Sequence, residues 1–446
     1  MFRYFGTVGA VVLMISIARA DSTTTTCSIT QHCPEDLPCC SQYGECGVGS
    51  YCLGGCDPRF SYSIDSCAPA PICEDKTLSM DSLDRIISNE KYLGDPSTGD
   101  WVSSGEPLVY DGSILLTMPA NSGGTVLAST TYMWYGNVSA RLKTAPGAGV
   151  VTAFILMSDV KDEIDYEFIG NQPTVAQTNY FWQDNPNPDL DNWYNVTVTD
   201  SHDIFHDYEI RWTPDDITFL VDGEVGKVRK RTDKWNSTSQ GWNFPQTPAR
   251  VELSIWPGGA SSNAEGTIEW AGGPVDWDSE QIQEYGYDYA IVDEITISCY
   301  RADSGPGYGF GEGKSYTYND SAGTNASVVV GDKGTILASF EATGTDMNKG
   351  NGTSAASGTA SGSAVSATGG SSPASGSSSG SDSESESGSS SGTSGNECTS
   401  TGFVQTCGST GTSQSHGVRS VTCAHEWLLA ISLSAATFTF LGVMYL

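Results

Sequence analysis

The sequence predicts an all-β fold: a two-sheet sandwich of the jelly-roll type, preceded by a small disulfide-rich module. Three observations predict it. Short alternating apolar and polar runs recur through residues 74–300, separated by Gly, Pro, Asn and Asp, and long helical periodicity is scarce. Nine of the thirteen cysteines fall between residues 27 and 73. The two chain ends and residues 350–395 have compositions foreign to a packed core.

Residues 1–20 carry Arg3, an apolar stretch from Val8 to Ile17 and a small-x-small ending, Ala18-Arg19-Ala20. That is the pattern of a secretory signal peptide. Residues 21–67 form the cysteine-dense module. Residues 68–300 hold the strands, among them Ser113–Met118, Val138–Lys143, Val150–Met157, Ile164–Ile169, Tyr194–Val198, Asp207–Trp212, Ile217–Val221, Arg250–Ile255 and Ala290–Cys299. "FLVDGEV" (219–225) reads as a hairpin turning at Asp222-Gly223. Residues 301–349 are a Gly- and Tyr-rich extension without a clear pattern. Residues 350–415 read as a disordered Ser/Gly-rich stalk. Residues 416–446 end in an uncharged run from Trp427 to Leu446, preceded by small residues and a polar spacer. That order reads as a glycosylphosphatidylinositol anchor signal, with a tail-end membrane helix as the alternative.

The net charge is −32, from 53 acidic and 21 basic residues, which argues against nucleic acid as a partner. The basic run Lys227 to Arg231 reads as a solvated loop or hairpin edge. In a secreted chain so many cysteines imply disulfides. Cys56 with Cys67 and Cys73 with Cys299 is one arrangement; Cys67 with Cys73 is the other. Six sequons, at Asn137, Asn195, Asn236, Asn319, Asn325 and Asn351, are candidate glycan acceptors.

The module spaces its first cysteines, Cys27, Cys33, Cys39, Cys40, Cys46, Cys52 and Cys56, as C-x5-C-x5-CC-x5-C-x5-C-x3-C. A core this small needs such bridges. The spacing and "CCSQYGECG" resemble a hevein-type chitin-binding domain. The resemblance implies a sugar site at Ser41, Tyr43 and Tyr51. Glu45 stands where that family carries a second aromatic, which would weaken affinity. A disulfide spacer without affinity is the alternative.

"DEIDYEF" (162–168) sets Glu163, Asp165 and Glu167 at every second position, so an extended strand points them one way and Ile164, Tyr166 and Phe168 the other. The apolar set suits a core. Like charges on the opposite, concave face cost about 1 kcal/mol per close pair, which folding alone would not select. Retaining glycoside cleavage needs a carboxylate nucleophile and a carboxylic acid about 5–5.5 Å apart. Two Glu at i and i+4 have α-carbons roughly 13 Å apart, a gap that long side chains on a twisted sheet can close. Hard cations also bind carboxylates, but no His accompanies these three and one strand wraps a cation poorly. No metal and no cofactor are expected.

E-x-D-x-E in this context resembles glycoside hydrolase family 16, and within it the Crh family of fungal cell-wall transglycosylases. "DEIDYEFIG", "QTNYFW" (177–182), "SIWPGG" (254–259) and "IEWAGGPVDW" (268–277) follow in the expected order. The resemblance implies Glu163 as nucleophile, Asp165 as orienting carboxylate and Glu167 as acid/base. It implies that Tyr180, Trp182, Trp256 and Trp270 line the cleft. It also implies a chitin donor and a β-1,3- or β-1,6-glucan or chitin acceptor, in a wall enzyme lipid-anchored to the outer membrane leaflet. A monomer is expected, with the chitin module working independently of the catalytic domain. A plain β-glycan hydrolase and a non-catalytic chitin-binding wall protein are the rivals.

Overall fold

The computed structural model describes residues 25–183, 193–237, 241–301 and 313–351, and a strand pair, Cys398–Thr401 with Val404–Cys407. That pair departs locally from a wholly disordered stalk. The signal peptide, the rest of the stalk and the anchor signal lie outside the described residues.

The sandwich strands, in chain order, are β1 Lys76–Ser79, β2 Ile86–Ser88, β3 Trp101–Ser104, β4 Leu108–Tyr110, β5 Ser113–Pro119, β6 Thr125–Met133, β7 Gly136–Lys143 and β8 Val150–Ser158. There follow β9 Glu163–Ile169, β10 Val175–Phe181, β11 Tyr194–Thr197, β12 His206–Trp212, β13 Asp216–Val221, β14 Glu224–Lys230, β15 Ala249–Pro257 and β16 Tyr287–Cys299. One sheet runs β11-β10-β9-β8-β15-β6-β3-β2; the other runs β14-β13-β12-β7-β16-β5-β4, with β1 also on β16. Lys227, Arg229 and Lys230 of the basic run lie on β14, an edge strand, where charge discourages pairing with another chain. The β13–β14 hairpin turns at Asp222 and Gly223, both at positive φ (51° and 80°), as a tight turn between twisted strands requires.

Between the sheets lies the core. Tyr166 on β9 packs edge-on against Tyr208 and Phe219 of the facing sheet, and its hydroxyl donates to the Leu220 carbonyl at 2.8 Å. Ile164 and Phe168 are buried beside it, each contributing about 1.5–3 kcal/mol. Two short helices interrupt the strands, α1 Glu265–Trp270 and α2 Glu280–Tyr285. Ser279 caps α2, its hydroxyl accepting from the Ile282 amide.

The cysteine-rich module packs on the sheet that holds β9. Gly55 N donates to Asp159 Oδ1 (2.9 Å) and to the Tyr132 hydroxyl (3.1 Å), and Lys161 Nζ donates to the Gln42 carbonyl. Residues 313–351 clasp both parts. Ser315–Tyr318 pairs with Ala70–Pro71 and with Val328–Gly331. Leu337 and Ala342 join Cys39, Cys52 and Cys56 in a small second core. Residues 313–349 of the patternless extension are therefore packed structure. Their order comes from contacts far away in sequence, such as Gly49 N to Ala342 O at 2.9 Å.

Candidate active site

Strand β9 divides its side chains between two environments. Ile164, Tyr166 and Phe168 enter the core, while Glu163, Asp165 and Glu167 stand on the sheet's outer face. The fourth acidic residue, Asp162, does a different job. It is buried, accepts from Gln246 N (2.9 Å), Thr247 N (3.1 Å) and Thr247 Oγ1 (2.6 Å), and so ties the strand's entry to a neighbouring loop.

Strand register lays out three rows across this face, because paired residues share a face. Phe181, Glu163, Met157, Arg250 and Tyr132 form the first. Asn179, Asp165, Ile155, Glu252, Ala128 and Val102 form the second. Gln177, Glu167, Ala153, Ser254, Val126 and Ser104 form the third.

Asp165 is only 1% exposed, and neither carboxyl oxygen has a hydrogen-bond partner among the described residues. Burial, reinforced by Glu163 and Glu167, raises its pKa well above the ordinary carboxylate range. Glu167 keeps some solvent contact, yet burial pushes its carboxyl up to about 8. Arg250, the one basic residue in these rows, is committed elsewhere: Nη2 donates to Glu252 Oε1 (2.7 Å) and Gln42 Oε1 (2.6 Å). Burial thus favours the protonated forms of Asp165 and Glu167, and a proton held near neutrality is what a general acid needs.

Beyond Glu167 the face becomes aromatic. Trp256 stacks on Trp270, with centroids 5.8 Å apart and planes 24° apart, and Trp193 meets Trp270 edge-on. Trp270 Nε1 donates to Gln177 Oε1 at 2.9 Å, which fixes the ring over the sheet. Trp256 and Trp270 are thus brought together beside the carboxylates. Tyr180 is not. It pairs with Ile164, is 1% exposed and packs edge-on against Phe244, so it belongs to the core rather than the cleft. The period of two explains the correction: residues paired with the carboxylates are Gln177, Asn179 and Phe181, and Tyr180 has the opposite parity. Counting from Glu163 across the strand pair would have found them. Trp182 lies just past the end of β10, half-buried, its enclosed Nε1 without a hydrogen-bond partner among the described residues.

In the module, Ser41 Oγ accepts from the amides of Tyr43 and Glu45, both at 3.3 Å. The Tyr43 hydroxyl accepts from Gln42 Nε2 at 2.8 Å. Tyr51 lies over Gly47, where a Cβ would come within 2.4 Å of the ring, and its hydroxyl donates to Glu45. Glu45, standing in an aromatic's place, thereby holds Tyr51. All three residues proposed as a sugar site face the sheet of the sandwich, lining one cavity with Arg250 and Glu252. The disulfides are Cys27–Cys40, Cys33–Cys46, Cys39–Cys52, Cys56–Cys67 and Cys73–Cys299. Of the two arrangements left open for Cys56, Cys67, Cys73 and Cys299, the one without Cys67–Cys73 is present. Among the sequons, Asn137, Asn195, Asn319 and Asn351 are exposed, Asn236 is half-buried, and half-buried Asn325 bonds the buried Tyr135 hydroxyl.

The sequence pattern of glycosyl hydrolases family 16 matches residues 96–272, which include all three carboxylates. Crh-like protein 3 of Botryotinia fuckeliana is 57% identical over 343 residues, 77% of this chain and 76% of its own length. Crh-like protein UTR2 of Candida albicans is 44% identical over 364 residues, 80% of this chain and 76% of its own. A solved structure titled Apo Crh5 transglycosylase is 30% identical, covering 62% of this chain and 100% of that one at a TM-score of 0.49. Matches of this depth over three quarters of the curated relatives mean that the chain belongs to the Crh family, a fungal group of glycosyl hydrolase family 16 enzymes.

Proposed function

We propose that this protein is a retaining cell-wall transglycosylase that cuts chitin and transfers the fragment to β-glucan or to chitin. The observation that carries the reading is the carboxylate row: one strand presents three acidic residues outward, with Asp165 buried and Glu167 holding a proton near neutrality. Glu163 is the nucleophile. Its ionised oxygen attacks the anomeric carbon while Glu167 gives its proton to the departing glycosidic oxygen. The glycosyl–Glu163 ester is then displaced by a sugar hydroxyl, whose proton returns to Glu167. Asp165 is a positioning residue that stays neutral and limits the charge beside Glu163. Trp256 and Trp270 are platforms for sugar rings. A signal peptide would direct the chain to secretion, and a lipid anchor would hold the enzyme at the outer face of the plasma membrane, within the wall.

Family 16 membership supports glycosidic chemistry, and the Crh resemblance supports transfer over hydrolysis. The deciding experiment mixes the protein with chitin oligosaccharides and a fluorescent β-1,3-glucan oligosaccharide and reads product masses. Labelled glucan that gains N-acetylglucosamine units is the expected result. Shortened chains alone would make it a hydrolase, and no change would leave a binding protein.

A further inference from the structure

The second and third rows of the sheet lead from the carboxylates to a covered space. Two strands beyond β9, roughly 10 Å away, they reach Glu252 and Ser254 on β15, then Ala128 and Val126 on β6, then Val102 and Ser104 on β3. An exposed sheet face would leave these residues in solvent. Instead Glu252 and Arg250 are each only 7% exposed, because the cysteine-rich module sits above them. Sheet and module line a partly open cavity of about 140 Å³. Its floor is Glu252, Ala128 and Val102, and its roof is Ser41, Tyr43 and Tyr51.

We propose that this cavity is an arm of the catalytic cleft. A neutral β-linked saccharide lying on the carboxylate row continues beneath the module, held between Tyr51 and Tyr43 above and Glu252 below. The proposal rests on the glycosidic reading of the carboxylates. Four features of the cavity support it. On the same sheet face only the small side chains of Ala153 and Ser254 stand between Glu167 and the cavity's Val126 and Ser104. Its one ion pair, Arg250 with Glu252, is internally matched, so the space suits an uncharged ligand. Two buried polar atoms on its wall, the Tyr92 hydroxyl and Arg250 Nε, have no hydrogen-bond partner among the described residues. A sugar hydroxyl or acetamido oxygen would satisfy both. Lastly, aromatic faces opposite planar hydrogen-bonding groups are what a pyranose ring needs. The cavity is smaller than the roughly 300 Å³ of ordinary ligand pockets, so its lining must part to admit a ring.

The reading differs from a tethered module in a measurable way. The full chain carrying Glu163→Gln is titrated calorimetrically with chitin oligosaccharides of increasing length. One oligosaccharide per protein is expected, with affinity rising again once the chain is long enough to reach the module. Tyr51→Ala should remove that second rise, on the order of tenfold. Tyr51→Phe, which keeps the ring and loses the hydroxyl that bonds Glu45, should restore it. Glu252→Gln, on the opposite wall, should weaken long oligosaccharides as Tyr51→Ala does. A second, independent equivalent of oligosaccharide bound by the module, or a length dependence untouched by Tyr51→Ala, would overturn the proposal. If the unmodified chain still forms product in that case, only this inference fails. No product and no binding at any length would instead sink the glycosidic reading.

Discussion

The outer face of one sheet is finished differently at its two sides. Around Glu167 it carries partly exposed indoles, with Trp193 37% exposed and Trp256 and Trp270 half-buried. Around Arg250 and Glu252 it is sealed, its charges paired and its roof supplied by a module crosslinked through four disulfides. Both sides are built from alternate residues of β15. Arg250, Glu252, Ser254 and Trp256 share one face, and only what packs on them differs. The lesson is that a strand's pattern sets which residues look outward, whereas neighbours from elsewhere in the chain decide whether outward means solvent.

The strongest way to break the comparison is to remove the chemistry that both sides serve. Glu163→Gln and Glu167→Gln should each reduce product formation by about a thousandfold or more while the thermal midpoint stays close to that of the parent. A variant retaining a tenth of the parent rate would remove its residue from the mechanism.

Next in size is the sealed side. Arg250→Met leaves Glu252 buried without its partner, and should destabilise by about 3–5 kcal/mol, read by denaturant titration. The same substitution should lower a single melting transition, because module and sandwich share this network. Two separated transitions in calorimetry would show that they fold independently.

On the aromatic side, Trp256→Ala removes one ring of a stacked pair and should raise KM about five- to tenfold with little change in stability. Equal effects on kcat and KM would point instead to disturbance of the carboxylates through Gln177.

The smallest effect is on pH. Glu167 is raised from an unfolded value of 4.5 to about 8, so the folded state binds the extra proton. Its contribution is fully present below the unfolded pKa, and stability falls as pH rises from there towards 8. Glu167→Gln should flatten that part of the stability profile. The rate should also fall as pH rises through the raised pKa, since the acid is lost. A wild-type rate flat from mildly acidic to alkaline pH would contradict the acid role.

Much of this is legible in the sequence alone. Alternation in Glu163–Phe168 assigned the carboxylates and the core residues to opposite faces, since a strand's period of two admits no other division. Tyr180 escaped because its parity was not counted against β9. Strand β6, Thr125–Met133, was not anticipated, although eight of its nine residues, including polar Ser129 and Thr130, prove buried. With both faces covered, alternation disappears.

What the sequence by itself determined is local: strand faces, the Asp222-Gly223 turn, and the demand for bridges in a core too small to stand alone. What only the tertiary structure decided is where the module sits and what residues 313–351 are for. Those depend on contacts such as Arg250 with Gln42, separated by about two hundred residues (208). No local period encodes such a pairing, because its energy arises only when both partners lose water together.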